Sequence, residues 1–160
     1  MTGSDWSHLP VPRLQSVLFA CSENAVRSPM AAALAEQQFG RRLHVESAGV
    51  RPGERNPFVV GVMEEVGIDL SRHRPQTFED LEDTCFDLIV TLSPEAHHRA
   101  LEFTRTMAVE VIYWPTLDAT AIEGSRVAVL DAYRSVRDAL AARIRETLVR
   151  DAPASADLFG

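Results

Sequence analysis

A cysteine and an arginine six residues apart, Cys21 and Arg27, are the residues of this 160-residue chain whose types and spacing best suit chemistry. A cysteine attacks as its thiolate, the form that nearby positive charge stabilises. An arginine guanidinium can donate two parallel hydrogen bonds to one tetrahedral oxyanion. The dipeptide Ser28-Pro29 follows directly and suits the first turn of a helix. The spacing therefore indicates a nucleophile beside a bound oxyanion.

A loop between a strand and a helix would position these two residues. The apolar run 14–20 predicts a strand that ends at the cysteine, and the Ala-rich stretch 29–39 predicts a helix closed by Gly40. A short loop at this junction turns several backbone N–H groups toward one point, and the helix N-terminus adds the positive end of its dipole. We predict that residues 22 to 27 bind an anion.

Strands and helices alternate along the rest of the chain. The pattern predicts three more strands and three more helices, with Asn56 and Ser93 as helix N-caps. The strands are 43–47, 86–92 and 108–113, and the helices are 57–66, 94–103 and 126–150. This order predicts the α/β class: a single doubly wound open sheet of four parallel strands flanked by helices, with the phosphate loop after strand 1. Ligands of such sheets bind at the carboxyl ends of the strands, where Cys21 lies.

Length and charge limit the classes of protein and partner. We expect one domain, 14–150, between a flexible N-terminal extension, 1–13, and a C-terminal tail, 151–160. The net charge of −7 argues against nucleic-acid and anionic-membrane partners. No stretch approaches the ~18 apolar residues of a membrane span, and the first thirteen residues do not resemble a signal peptide. Two cysteines 64 positions apart suggest neither a disulfide framework nor a zinc site. We therefore expect a cytoplasmic protein without metal or organic cofactor, and leave its oligomeric state open.

Several segments, taken in order, resemble the low-molecular-weight protein tyrosine phosphatase family, in particular its bacterial branch, which is related to the thioredoxin-coupled arsenate reductases. The resemblance covers roughly residues 15 to 149. The matching segments are the loop Cys21-x5-Arg27-Ser28, Glu46-Ser47-Ala48-Gly49, Asn56-Pro57, 63–69, Ile89-Val90-Thr91-Leu92, Tyr113-Trp114 before Asp118, and 130–138.

The resemblance implies a two-step phosphoryl transfer on Cys21, through a cysteinyl-phosphate that water then hydrolyses. Backbone amides of the loop and the Arg27 guanidinium would hold the equatorial oxygens. The loop residues concerned are Ser22, Glu23, Asn24, Ala25, Val26 and Arg27. Ser28 would donate a hydrogen bond to the thiolate, and Asp118 takes the position of the family's general acid.

Three further residues are implied to support the loop. Asn24 would fix it by hydrogen bonds, because asparagine tolerates left-handed backbone angles. Ser47 and His73 would in turn support Asn24 from a second layer around the site.

Three positions depart from the family pattern. Glu23 replaces the usual glycine, where a left-handed backbone would cost about 1–2 kcal/mol; we expect its carboxylate to face solvent and tune which phosphoesters approach. Ala119 replaces the proline after the general acid, which should loosen the loop. Val26 replaces a frequent second loop cysteine, so a protective disulfide within the loop is excluded.

The sequence leaves three functions open. The leading one is a phosphatase of phosphomonoesters, with phosphotyrosine on proteins or small phosphoesters as substrates. The second is an arsenate reductase that uses an external thiol. Ser93 stands where the first relay cysteine would fall, and Cys85 is expected to be a packing residue. The third is a non-catalytic module that binds phosphate or phosphopeptides.

Overall fold

The computed structural model describes residues 14–148. The expected N-terminal extension, 1–13, and the C-terminal tail, 151–160, lie outside the described residues, as does the end of the last predicted helix. No helix within the described range is both long and apolar enough to cross a membrane.

Four parallel strands form one sheet, in the order β2-β1-β3-β4. They are β1 (Ser16–Cys21), β2 (His44–Gly49), β3 (Leu88–Thr91) and β4 (Glu110–Tyr113). The helices are α1 (Arg27–Phe39), α2 (Pro57–Glu64), α3 (Pro94–Phe103) and α4 (Arg126–Thr147), with short 3₁₀ turns at Gly40–Arg42, Phe78–Asp80 and Ala119–Ala121. The predicted α/β class with one doubly wound sheet of four parallel strands is confirmed.

Strand β1 lies inside the sheet, with β2 on one side and β3 on the other. The chain therefore reverses its direction of winding after β2, and the carboxyl end of β1 is the switch point at which such sheets bind ligands. Cys21, the last residue of β1, is thereby placed at this point.

Alternate residues of β1 face two separate apolar clusters. Val17, Phe19 and Cys21 belong to the larger cluster, with α1, α2 and α4. Leu18 and Ala20 belong to the smaller one, on the α3 side. The strand is thus buried on both faces, as expected for a central parallel strand.

Local signals in the sequence set several helix starts. The Asn56 side chain accepts hydrogen bonds from the backbone N–H groups of Phe58 and Val59, and a proline follows at the first helical position. Ser93 caps α3 in the same way by accepting from the N–H of Ala96. Both predicted N-caps are confirmed.

The prediction that Cys85 packs in the core is wrong, because its side chain is exposed. The residue lies in a turn before β3, where its backbone N–H donates to Asp83 Oδ1 at 2.9 Å and its carbonyl accepts from Ser16 Oγ at 3.2 Å. The backbone of this residue is therefore fixed by polar contacts, while its thiol remains outside the apolar clusters.

Candidate active site

The Cys21 thiol is buried at the base of the loop that joins β1 to α1. Its Sγ lies 3.0 Å from Ser28 Oγ and accepts from the Ser28 backbone N–H at 3.4 Å. Ser28 Oγ itself accepts from Asn24 Nδ2 at 2.8 Å, and its proton can be donated to the sulfur or to the Ala48 carbonyl, which lies 3.5 Å away. The Ser28 backbone N–H and hydroxyl, both in the first turn of α1, thus lie within hydrogen-bond distance of the sulfur.

Asn24 is the centre of the loop's hydrogen bonds. It is fully buried and is, among residues 14–148, the non-glycine residue with a positive φ, 55°. Its Nδ2 also donates to Ser47 Oγ at 2.9 Å, and its Oδ1 accepts from the Gln76 N–H at 2.9 Å. The Asn24 carbonyl accepts from His73 Nε2 at 2.8 Å. The structure therefore brings Ser47 and His73 together on the residue that they were predicted to support.

Two glycines allow other segments to approach the loop closely. A Cβ on Gly49, the last residue of β2, would lie 2.8 Å from Asn24 N and from the Glu23 carbonyl carbon. A Cβ on Gly53 would lie 2.8 Å from Glu23 Cβ, and the Gly53 N–H donates to the Glu23 carbonyl at 2.9 Å. The absence of side chains at these positions therefore permits the observed loop conformation.

The Arg27 guanidinium is anchored by the loop after β4. Its Nη1 donates to the Thr116 carbonyl at 3.2 Å. A guanidinium carries five N–H donors, so the remaining donors can serve an oxyanion bound above Cys21.

Asp118 lies at the rim of the same cavity as Cys21 and Arg27. Its Oδ1 accepts from the Thr120 backbone N–H at 3.0 Å and from Thr120 Oγ1 at 2.6 Å. The hydrogen bonds described for this carboxyl both fall on Oδ1, so Oδ2 is the oxygen that can carry a proton. Ala119, in the place of the family's proline, is fully buried, so packing holds this position of the loop.

The Glu23 carboxylate is half-exposed and faces Arg51, with Oε2 3.7 Å from Nη2. Arg51 Nη1 also binds Glu95 at the start of α3, at 2.6 Å. Positive φ is confined to Asn24 among the described non-glycine residues, so Glu23 avoids the strain considered above. Its ion pair with Arg51 offsets part of the negative charge that it places beside the anion site.

A cavity of about 790 Å³ opens in front of the loop. Its apolar wall consists of Phe58, Ile122, Val129 and Tyr133, which come from α2, α4 and the segment between β4 and α4. This wall is not predicted from the sequence, because its residues come from separate elements. The Tyr133 hydroxyl accepts from Asn56 Nδ2 at 3.1 Å, and the Tyr133 ring stacks on Phe58.

Seven of the residues predicted to bind or react line one cavity: Cys21, Ser22, Glu23, Ala25, Val26, Arg27 and Asp118. Asn24 and Ser28, also predicted to bind or react, are not among its lining residues. They lie behind the lining, where Ser28 contacts Cys21 and Asn24 contacts Ser47 and His73. Arg51, Phe58 and Tyr133 line the cavity without having been predicted. The His44, Glu46 and Asp83 side chains, which could hold a metal ion, do not line this cavity.

Comparisons with known proteins agree on one family. The family model of low molecular weight phosphotyrosine protein phosphatases matches residues 16–152. An arsenate reductase of Halalkalibacterium halodurans is 32% identical over 130 residues, covering 81% of this chain and 91% of that protein. An arsenate reductase of Bacillus subtilis is 30% identical over 130 residues, covering 81% and 92%.

Solved structures show the same fold. An arsenate reductase in its phosphate-binding state superposes with a TM-score of 0.72 at 24% identity, covering 86% of this chain and 99% of that one. A mutant of YwlE from Bacillus subtilis superposes with a TM-score of 0.69 at 25% identity, covering 85% and 97%.

Proposed function

Because the chain belongs to the low molecular weight phosphotyrosine protein phosphatase family, we propose that it is a cysteine-dependent phosphatase that hydrolyses phosphomonoesters, including phosphotyrosine on proteins. The members of this family are enzymes, as the resemblance of the sequence to the family implied. One observation carries the proposal. The Cys21 thiol, which contacts Ser28, and the Asp118 carboxyl line the same cavity.

In the proposed first step, Cys21 Sγ attacks phosphorus and an S–P bond forms. The bond from phosphorus to the leaving oxygen breaks, and Asp118 gives that oxygen its proton. Loop amides and Arg27 hold the equatorial oxygens throughout. In the second step the Asp118 carboxylate takes a proton from water, the water oxygen attacks phosphorus, and the S–P bond breaks to return the thiolate.

The apolar wall of the cavity supports an aryl phosphate as the substrate class. Phe58 and Tyr133 offer aromatic faces, and Ile122 and Val129 offer aliphatic ones, beside the site for the phosphoryl group. A phosphotyrosine side chain or a small aryl phosphoester would bury its ring there. Nucleic acid and membrane are not among the partners that we propose, since the net charge of −7 disfavours anionic surfaces.

Reduction of arsenate with an external thiol is the second candidate, favoured by the curated relatives named arsenate reductase. Cys21 would attack arsenic and displace hydroxide. An external thiolate would then attack the cysteine sulfur, the S–As electron pair would leave with arsenic as arsenite, and a second thiol would resolve the mixed disulfide. Two thiols are oxidised to one disulfide as As(V) becomes As(III).

A relay between the two cysteines of this chain does not fit the geometry. Cys85 contacts Ser16 at the start of β1, whereas Cys21 ends that strand, and five residue steps at about 3.3 Å each separate the ends by roughly 16 Å. Disulfide-bonded cysteines have Cα atoms less than about 7 Å apart. The reducing thiol of the second candidate must therefore come from another molecule.

The experiment that tests the phosphatase is hydrolysis of an aryl phosphate by the wild type, Cys21→Ser and Cys85→Ser. We expect turnover in the wild type and in Cys85→Ser, the matched cysteine control, and none in Cys21→Ser. Mass spectrometry of briefly quenched wild-type enzyme should find one phosphoryl group on Cys21. Turnover that survives Cys21→Ser would overturn the proposal.

The same proteins, given arsenate and a small thiol, test the second candidate by the yield of arsenite. Arsenite without aryl phosphate hydrolysis would identify the reductase. If neither reaction occurs while inorganic phosphate still binds, the chain is a binding module and both catalytic candidates are wrong.

A further inference from the structure

We propose that His44, Glu46 and Asp83 form a binding site for a divalent transition cation of the Zn²⁺ class, at the end of the sheet opposite to Cys21. His44 is the first residue of β2, whereas Gly49 at its far end contacts the catalytic loop. The new site is therefore separate from the proposed active site, and its existence does not depend on the reaction catalysed there.

The three potential ligand atoms lie within 4.8 Å of one another. His44 Nε2 is 3.0 Å from Glu46 Oε2 and 3.5 Å from Asp83 Oδ2. Ligands bound to tetrahedral zinc at about 2.0–2.1 Å are separated from each other by about 3.3 Å. Two of the observed separations are thus close to those of zinc ligands, and the third is at most 4.8 Å. A cation at the centre of the group would replace the hydrogen bond between His44 and Glu46.

The main chain fixes the positions from which the ligands project. His44 and Glu46 are two residues apart on one strand, so their side chains project from the same face. They pair with Ser16 and Leu18 of β1. The segment that carries Asp83 is tied to the same strand end, because Asp87 Oδ2 accepts from the Ser16 N–H at 3.0 Å.

The ligand side chains are also oriented in advance. The His44 ring lies parallel to the Phe86 ring, with 8° between the planes. Asp83 Oδ1 accepts from the Cys85 N–H at 2.9 Å, which leaves Oδ2 toward His44. Glu46 is 26% exposed. Such outer contacts orient metal ligands and raise affinity.

The donor set selects the class of cation. One imidazole nitrogen with two carboxylate oxygens suits zinc and its neighbours in the first transition row, whereas Mg²⁺ and Ca²⁺ prefer oxygen ligands alone. Three protein ligands leave a fourth position for water. A bound cation would join the edge strand β2 to the segment before β3, and would stabilise the native state by mass action.

The test is calorimetric titration of the full-length protein with Zn²⁺ alone, followed by thermal unfolding with and without the ion. We expect one site per chain in the wild type and a higher Tm with zinc. His44→Ala and Asp83→Asn, both at half-exposed positions, should weaken the affinity roughly tenfold or more and abolish the Tm increase.

His98→Ala is the matched control, since His98 forms an exposed pair with Glu102 at 3.7 Å and belongs to no cluster of three potential ligands among residues 14–148. It should bind zinc as the wild type does. Cys21→Ser, titrated alongside, separates zinc binding at the catalytic thiol from binding at the new site. The proposal is overturned if His44→Ala and Asp83→Asn retain wild-type affinity, or if the binding disappears with Cys21→Ser.

Discussion

At the level of single residues, substitution of Asp118 can distinguish two roles of this side chain, shaping the loop and donating a proton. Asn at this position keeps the oxygen that accepts from Thr120, so the turn is preserved while the carboxylic proton is lost. For Asp118→Asn we expect kcat/KM to fall roughly 10²–10⁴-fold with an alkyl phosphate, and much less with an activated aryl phosphate whose leaving group needs no proton. Steady-state kinetics with both substrates check this. Equal losses would mean that Asp118 only shapes the loop.

Substitution of Gly49 tests whether the conformation of the loop that joins β1 to α1 depends on its close contact with the end of β2. A methyl group there would lie 2.8 Å from backbone atoms of Glu23 and Asn24, so the loop must move. We expect Gly49→Ala to lose about 1–3 kcal/mol of unfolding free energy and to bind inorganic phosphate more weakly, as measured by competitive inhibition.

Gly61→Ala is the control for this substitution. A Cβ at Gly61, inside α2, meets no atom within 4 Å. Because alanine is the better helix former, this variant should gain up to about 1 kcal/mol with unchanged phosphate affinity. Wild-type phosphate affinity in Gly49→Ala would contradict the role assigned to the close contact.

The sequence singles out Cys21 and Arg27 as candidate reacting residues, but it does not predict their surroundings. Cys21 and Arg27 lie within one short segment whose strand and helix signals are local. The apolar wall joins Phe58 to Tyr133 from two helices, and the need for glycine at position 49 arises from a contact with the loop after β1. These contacts depend on how the helices and strands pack against each other, and no local sequence pattern contains that information.

At the scale of elements, an ion-pair network connects the end of α2 to α4. Glu65 accepts from Arg134 Nη2 at 2.8 Å and from Arg137 Nη1 at 2.8 Å. Arg137, which is largely buried, also donates to the Val62 carbonyl. Hydrogen bonds from the two arginines lower the pKa of Glu65 from 4.5 to about 2.

The lowered pKa predicts a pH-dependent contribution to stability. The Glu65 carboxylate stabilises the folded state fully above its unfolded pKa of 4.5, and the contribution is lost as pH falls from 4.5 to about 2. Glu65→Gln should therefore unfold at lower denaturant concentration than the wild type at pH 7, and the difference should shrink across that window.

Denaturant unfolding at several pH values measures this effect. Glu64→Gln serves as the control, because its exposed carboxylate forms no ion pair among those described between residues 14 and 148. A difference between wild type and Glu65→Gln that stays constant down to pH 2 would show that it does not arise from the carboxylate charge, and no difference at pH 7 would show that the network adds nothing to stability.

Element starts were predicted better than strand lengths. Asn56 and Ser93 act through hydrogen bonds to their own helices, so the sequence near them suffices. The predicted strand 86–92 is observed as Leu88–Thr91. The apolar pattern continues beyond the residues that pair with neighbouring strands, because pairing depends on the lengths of β1 and β4 as well.

At the scale of the whole molecule, α4 closes the larger apolar cluster. Ile144 is fully buried near its end, in the cluster that also contains residues of β1, α1 and α2. Ile144→Ala should lower the unfolding free energy by about 2–5 kcal/mol, with aryl phosphate turnover per folded molecule retained. Val127→Ala, at an exposed position of the same helix, should change stability little. A small effect of Ile144→Ala on the denaturation midpoint would mean that α4 packs loosely.

The hydrogen bond from Arg27 to the Thr116 carbonyl links the loop that carries Asp118 to the arginine that is proposed to bind the anion. Thermodynamic coupling between two equilibria is reciprocal. The free energy that the loop in this position contributes to phosphate binding therefore equals the free energy that bound phosphate contributes to holding the loop there. A bound oxyanion would therefore help to hold Asp118 in place, and in the proposed reaction product phosphate would do the same. In the proposed reaction, release of phosphate would then be coupled to displacement of this loop, so that release would be a step that can limit turnover.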